Sequence, residues 1–260
     1  MSEYEAISLE RSGPIARITL NRADAANSMN DTMTRELAHA ARRCDDSATK
    51  VVILTGAGRF FSAGGDLRGM ASSPTTRGHY VKTIADDLHR AISTFARMDA
   101  VLITAVNGVA AGAGFSLAVT GDLVLVSDTA SFTMAYTAAG LSPDGSSSFY
   151  LPRLIGVRKT QELMLTNRKL DAAEALQWGL VTEVVDAAEL PARVDALAKQ
   201  IASGARGSSS AVKKLLLTSF KSGLEEQMER EGRLIAECAN SADGSEGIDA
   251  FLEKRRPEFA

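Results

Sequence analysis

Apolar and polar positions change period several times along the chain. ISLE and IARITL alternate on either side of a turn at residues 11–14, the pattern of a β-hairpin. Asn30 or Asp31 can cap a helix reaching about Cys44, with Met33, Leu37, Ala40 and Ala41 on one face. Residues 51–55 form a short apolar run, and a glycine-rich loop follows over residues 56–69. Helical spacing returns over residues 77–98, where Val81, Ile84, Leu88, Ile92 and Phe95 share a face. A strand at residues 101–106, a small-residue helix at 112–119 and a strand at 123–126 complete the pattern. Strands alternating with helices predict an α/β fold with mostly parallel pairing. Residues 101–121 carry no charge, but Asn107 and four glycines break the run. That stretch reads as strand, turn and helix, not as a membrane span.

Beyond Val185 the strand signal stops. Helical patterns cover residues 188–202, 208–222, 224–240 and 247–254. Capping-box spacing places helix starts at Asp171 with Glu174, Ser222 with Glu225, and Asp243 with Glu246. A boundary is therefore expected near residue 195. It separates a body, 1–195, from a helical segment, 196–260, too small to hold a core of its own.

Composition narrows the function classes. Of 260 residues, 45% are hydrophobic and 23% charged, as in globular proteins rather than disordered chains. A net charge of −3 gives no electrostatic footprint for nucleic acid, and 5% aromatic content gives no base-stacking surface. Cys44 and Cys238 form neither a disulfide framework nor a zinc site, and His39, His79 and His89 lack ligand spacing. No metal motif is present, and a reducing, cytoplasmic compartment is expected. The opening MSEYEAISLERSG lacks the apolar centre of a signal peptide, and the closing EKRRPEFA carries no anchor or address.

Familiar phosphate motifs fail. There is no P-loop, and GAGRFF and GAGFSL both lack the third glycine of a dinucleotide fingerprint. GFSLA resembles a nucleophile elbow, but Ser116 falls inside a predicted helix with every histidine upstream. Three other segments carry more. VVILTGAGRFFSAGGDL, residues 51–67, ends a strand in a loop with glycines at 56, 58, 64 and 65. AVNGVAAGAGFSLA, residues 105–118, turns from a strand into a helix start built of Gly and Ala. Each lets main-chain N–H groups approach a ligand, and two converging N–H groups form an oxyanion hole. GLSPDGSSS, residues 140–148, places Asp144 ahead of a helix, where it is either an N-cap or a functional carboxylate.

Together FSAGGDL, VNGVAAGAG and residues 151–185 resemble the crotonase superfamily, the enoyl-CoA hydratase/isomerase family. The resemblance runs from IARITLNR to EGIDAFLEKRRPEF, nearly the whole chain. It implies the ClpP-like crotonase fold: a body of repeated ββα turns and a C-terminal helical segment that assembles a homotrimer or dimer of trimers. It implies an acyl-CoA thioester substrate, as in fatty acid metabolism, with CoA as part of the substrate and no metal or further cofactor. The two N–H donors to the thioester oxygen would be Gly65 and Ala113. Ala25, Ala63, Gly64, Asp66, Leu67, Val109, Gly112, Gly140 and Leu141 would line the CoA and acyl sites, with residues 68–80 as part of the acyl wall.

The sequence also departs from the pattern. Hydratases of the family carry two glutamates around one water; Ser116 and Tyr136 stand at those positions here. Ser and Tyr have intrinsic pKa values far above 7 and make poor bases. Asp144 matches an active-site aspartate found in dienoyl-CoA isomerases, ring-epoxyphenylacetyl-CoA isomerases and 4-chlorobenzoyl-CoA dehalogenases. The expectation is double-bond isomerisation with Asp144 as base. Three alternatives remain: hydration by the single carboxylate with help from Tyr136, dehalogenation with Asp144 as nucleophile assisted by His89, and acyl-CoA binding without turnover. The dehalogenase branch carries a tryptophan where this chain has Tyr136.

Overall fold

The computed structural model describes residues 4–260, so the first three residues of the charged N-terminal stretch lie outside it. In chain order the body comprises β1 (Ile7–Ser12), β2 (Ile15–Leu20), α1 (Asp31–Cys44), β3 (Val51–Gly56), β4 (Phe60–Ser62), α2 (Leu67–Ser72) and α3 (Arg77–Arg97). It continues through β5 (Val101–Val106), β6 (Val109–Ala111), α4 (Ala113–Ala118), β7 (Leu123–Ser127), β8 (Ser131–Thr133), α5 (Ser147–Leu154) and α6 (Gly156–Thr166). β9 (Leu170–Asp171), α7 (Ala172–Gln177), β10 (Glu183–Val185) and α8 (Leu190–Ala202) follow. Three helices end the chain: α9 (Arg206–Ser219), α10 (Leu224–Ala239) and α11 (Ala242–Glu253).

The strands form two sheets. The larger has the order β1-β2-β3-β5-β7-β10, antiparallel at the β1–β2 hairpin and parallel elsewhere. The smaller has the order β4-β6-β8-β9. β3, β5 and β7 each pass from the large sheet into a three-residue strand of the small one, β4, β6 and β8, before the chain turns helical. This repeat is the body of ββα turns expected from the sequence. The central strand β5 is buried at every position, so VLITAV reads as a continuous apolar run. Phe61, Phe95, Phe115 and Phe132 fill the principal core between the sheets and helices. α8 covers the opposite face of the large sheet, setting Val194 and Ala198 against Val51, Ile53 and Ile103.

Side-chain caps explain several helix starts. Asn30 caps α1 by accepting the Met33 N–H, and Asp171 caps α7 by accepting that of Glu174. Two expected capping boxes are absent. α10 starts after Gly223 with no side-chain cap, because its first turn places Glu225 and Glu226 near the positive helix end instead. α11 starts after Ser241, which accepts the Gly244 N–H and pre-empts Asp243 two residues later. The loop read over residues 56–69 contains β4 and the start of α2, which are too short to leave a periodic trace. Residue 195, the expected boundary, falls inside α8. The segment made only of helices and lying off the sheet starts at Arg206.

One buried ion pair ties this tail to the body. The Lys213 ammonium on α9 is 6% exposed; it meets Asp122 at 2.7 Å and donates to the Phe95 and Ala100 carbonyls at 3.0 and 2.6 Å. Past that point the tail buries little, and α10 has no buried residue. Leu216, Phe220, Leu224, Ile235 and Phe251 are each at least 66% exposed. The chain's accessible surface of 13237 Å² exceeds the roughly 11,000 Å² expected for a folded monomer of this mass. No helix among the described residues is long and apolar enough to cross a membrane.

Candidate active site

Two glycine loops lie back to back beneath a cavity of about 450 Å³. The first leaves β4 as Ala63-Gly64-Gly65. Gly64 has φ +89°, and a Cβ there would lie 2.6 Å from the Ala111 carbonyl and 3.1 Å from the Ala113 nitrogen. Only glycine lets the two backbones approach so closely. The second loop leaves β6 at Ala111 and enters α4 at Ala113, with the Gly112 N–H donating to Thr133 O at 2.9 Å.

A lattice of hydrogen bonds holds this floor. Buried Asn27 donates to the Ala57 and Phe60 carbonyls at 2.9 and 2.8 Å. Ser62 Oγ donates to Asn27 O and accepts the Gly64 N–H. Met29 N–H donates to Gly64 O at 2.7 Å, and Asp66 N–H donates to Met29 O at 3.0 Å. Asp66 then caps α2 through the Gly69 N–H and pairs with Arg22, both at 3.0 Å. Burial opposes ionisation of Asp66, but those two donors outweigh it and hold its carboxyl below the usual range. The lattice uses the N–H groups of residues 64, 66 and 112. Among the described residues, the N–H groups of Gly65 and Ala113 have no acceptor within the chain, and both residues line the cavity.

The facing wall is built from side chains. Tyr136 donates its hydroxyl to Asp144 Oδ1 at 2.6 Å, and Ser116 Oγ lies 2.9 Å from the same phenol oxygen. Since Tyr136 spends its proton on Asp144, Ser116 donates to Tyr136. Burial first, then the facing carboxylate, pushes the Tyr136 phenol well above its ordinary range, so it stays protonated. His89 Nε2 lies 3.5 Å from Asp144 Oδ2 and 3.1 Å from the Gly145 nitrogen, which donates to it. The Asp144 hydrogen bond lifts the His89 imidazole above its usual value, against the opposing effect of burial. Asp144 is not an N-cap: Ser146 occupies that position, and the carbonyl of Asp144, not its carboxylate, meets Ser147.

Gly145 explains how this wall fits. Its φ is +60°, and a Cβ on it would lie 2.8 Å from Ser116 Cβ. A side chain at 145 would therefore collide with Ser116, and buried Ser116 already fills its space up to the Tyr136 hydroxyl. Serine at 116 and glycine at 145 are one packing solution.

The cavity lining includes Ala63, Gly65, Leu67, His89, Gly112, Ala113, Tyr136, Leu141 and Asp144. Five residues named from the sequence lie elsewhere. Gly64 packs behind the floor, and Asp66 is turned into its Arg22 and Gly69 contacts. Val109 sits in the small sheet between Phe60 and Ser131, Ala25 lies in a 3-10 turn, and Gly140 is exposed at the end of another. The roof was less legible. Val81, Ile84 and Leu88 of α3, with Met70 of α2, line the cavity. Their helical spacing signalled an apolar face but not that part of it bounds a void. No group of His, Cys, Asp or Glu among the described residues could hold a metal ion.

Comparison with known proteins places the chain in company. Residues 10–260 match the profile of the family described as enoyl-CoA hydratase/isomerase. A probable enoyl-CoA hydratase of Rhodobacter capsulatus is 36% identical over 256 residues, covering 98% of both chains. The 1,2-epoxyphenylacetyl-CoA isomerase of Escherichia coli is 35% identical over 250 residues, covering 94% of both. A crystal structure titled as a putative enoyl-CoA hydratase from Thermobifida fusca in complex with acetoacetyl-CoA superposes with a TM-score of 0.83 at 36% identity, covering 91% of this chain and 96% of that one.

Proposed function

The chain belongs to the enoyl-CoA hydratase/isomerase family, and on that premise we propose that it isomerises an unsaturated acyl-CoA thioester through an enolate, with Asp144 as the base. The observation that carries this reading is the composition of the cavity. It holds both unpartnered amides, and Asp144 is the only carboxylate among the described residues that line it.

Asp144 Oδ1 is held by Tyr136, which leaves Oδ2 as the oxygen that accepts a proton from carbon. The electron pair of the broken C–H bond moves toward the thioester carbonyl, and the negative charge settles on its oxygen. The Gly65 and Ala113 N–H groups stabilise that charge. Asp144 returns the proton to a different carbon, so the double bond moves and no atom is gained or lost. CoA enters as part of the substrate, and the cycle needs no further cofactor. The apolar roof of Met70, Val81, Ile84 and Leu88 suits an uncharged acyl group.

A panel of unsaturated acyl-CoA thioesters incubated in deuterium oxide and read by mass spectrometry tests the reading. Deuterium entry next to the carbonyl, lost in Asp144→Asn, is the expected result. Equal exchange by that variant removes Asp144 from the mechanism. Hydration is the second reading, favoured by the similarity to the Rhodobacter capsulatus protein named a probable hydratase; it adds the mass of one water to the product. Adding a halogenated aryl-CoA to the panel tests halide release with Asp144 as nucleophile and His89 assisting, and thioester bound without any product marks binding without turnover.

The tail is the assembly segment of a homotrimer or a dimer of trimers in this proposal. The exposed apolar side chains of Phe220, Leu224, Ile235 and Phe251 and the excess surface of the isolated chain support it. Sedimentation equilibrium, with Phe251→Glu as the comparison, reads the subunit number. A reducing, cytoplasmic setting suits the two free thiols, of which Cys44 has its pKa pushed up to about 11, by burial above all.

A further inference from the structure

His89 Nε2 faces two partners that demand opposite protonation states. The Gly145 N–H donates to it at 3.1 Å, which requires a bare nitrogen. Asp144 Oδ2, an acceptor, stands 3.5 Å away, and pairing with it requires a proton on that same nitrogen. One nitrogen in the ring plane cannot do both. We infer that His89 is a positioning residue: its neutral Nε2 anchors the 144–145 loop through Gly145 and leaves Asp144 Oδ2 free, whereas its protonation releases Gly145 and captures Oδ2 in an ion pair.

The surroundings make the exchange local. The space a side chain at Gly145 would fill is already taken by Ser116 Cβ and the Leu88 side chain, so the loop backbone has little room to move in that direction. Leu88 precedes His89 on α3, and the anchor therefore joins two surfaces already in contact. Among the described residues, the Gly145 N–H has no acceptor other than His89. The charged neighbours are few. Asp144 faces the imidazole from the loop, Asp86 and Lys82 act on it from α3, and Lys82 also lines the cavity. Arg90 on α3 is paired with Asp87, and Tyr136 on the loop side stays neutral. Both carboxylates favour the imidazolium and Lys82 opposes it, so the ring titrates above the ordinary histidine value.

The sign follows. Below that raised pKa, His89 is charged and holds Oδ2; above it, Oδ2 is free. The kinetic consequence rests on the reading of Asp144 as base, but the exchange of hydrogen-bond partners does not. The first experiment is therefore independent of activity. Nitrogen-15 NMR of histidine-labelled protein reports which ring nitrogen carries the proton. The expected result is a neutral form protonated at Nδ1, a titration above the ordinary histidine value, and a downward shift of that titration in Asp144→Asn. A neutral form protonated at Nε2, or a titration unmoved by Asp144→Asn, overturns the inference.

The second experiment follows kcat/KM for deuterium exchange against pH. His89→Leu loses the anchor and slows exchange about fivefold above the titration, the scale of one lost hydrogen bond. His89→Gln keeps an oxygen to accept the Gly145 N–H, recovers most of that loss, and removes the part of the acid limb set by His89. An acid limb left unmoved in His89→Gln, or no recovery relative to leucine, counts against the inference. If wild-type protein exchanges no substrate at all, the proposed function fails while the NMR titration still decides the role of His89.

Discussion

The floor of the cavity and its facing wall contribute in different currencies: main-chain amides from residues 65 and 113 below, side chains from residues 89, 116, 136 and 144 above. The floor is set by backbone geometry. A lattice through Asn27, Ser62 and Thr133 satisfies the neighbouring amides and leaves two unpartnered. No side chain of Gly65 or Ala113 takes part, so conservative changes there are felt through shape alone. The wall is set by a chain of donors that ends on one carboxylate, where a single heavy atom decides the outcome. Under the proposed mechanism, the floor can therefore keep stabilising an enolate while the proton-moving group of the wall is replaced.

Substitutions on the two sides sharpen that contrast. The largest loss is expected from Asp144→Asn, which removes the proposed base while keeping the shape; deuterium exchange falls about 10²–10⁴-fold, the usual range for acid–base residues. Mass spectrometry of the exchanged thioester measures it, and an unchanged circular dichroism spectrum shows that the wall still folds. Next is Ala113→Pro. Proline suits the first turn of α4 but has no N–H, and losing one oxyanion donor costs about 10²–10³ in rate. Exchange within tenfold of wild type would show that this amide does not carry the charge.

Ser116→Glu tests whether the wall tolerates a longer side chain. Overpacking against Gly145 should cost roughly 1–3 kcal/mol, read as a lower urea midpoint. Tyr136→Phe is the mildest change, because the ring stays and only the donor to Asp144 Oδ1 is lost. An effect of about tenfold on kcat, with little change in KM, is expected for one charge-assisted hydrogen bond. A variant as inactive as Asp144→Asn would make Tyr136 part of the chemistry and not a support for it.

The two sides were also unequally legible. Gly56, Gly58, Gly64 and Gly65 stand out because no ordinary turn needs so many, and the floor lies where those glycines place it. Asp144 could be located but not read, since an N-cap and a functional carboxylate look alike in a string of letters. Only the position of Ser146 at the helix start separates them. The strands β4, β6 and β8 escaped because three residues cannot display a period of two. The cap at Ser241 was missed because Asp243, two residues later, offers the same signal with a better-spaced glutamate. The roof was only partly legible for a deeper reason: periodicity reports which face of α3 is apolar, not whether protein or empty space lies beneath it.

The contact between Gly145 and Ser116 also constrains how this site could have arisen and how it could be redesigned. A side chain at 145 would meet Ser116, and position 116 is fully buried, so a change at either position is felt by the other. A route to another chemistry has to open the loop first and enlarge position 116 second. Libraries that randomise the two positions jointly should reach folded alternatives that one-at-a-time scanning never visits.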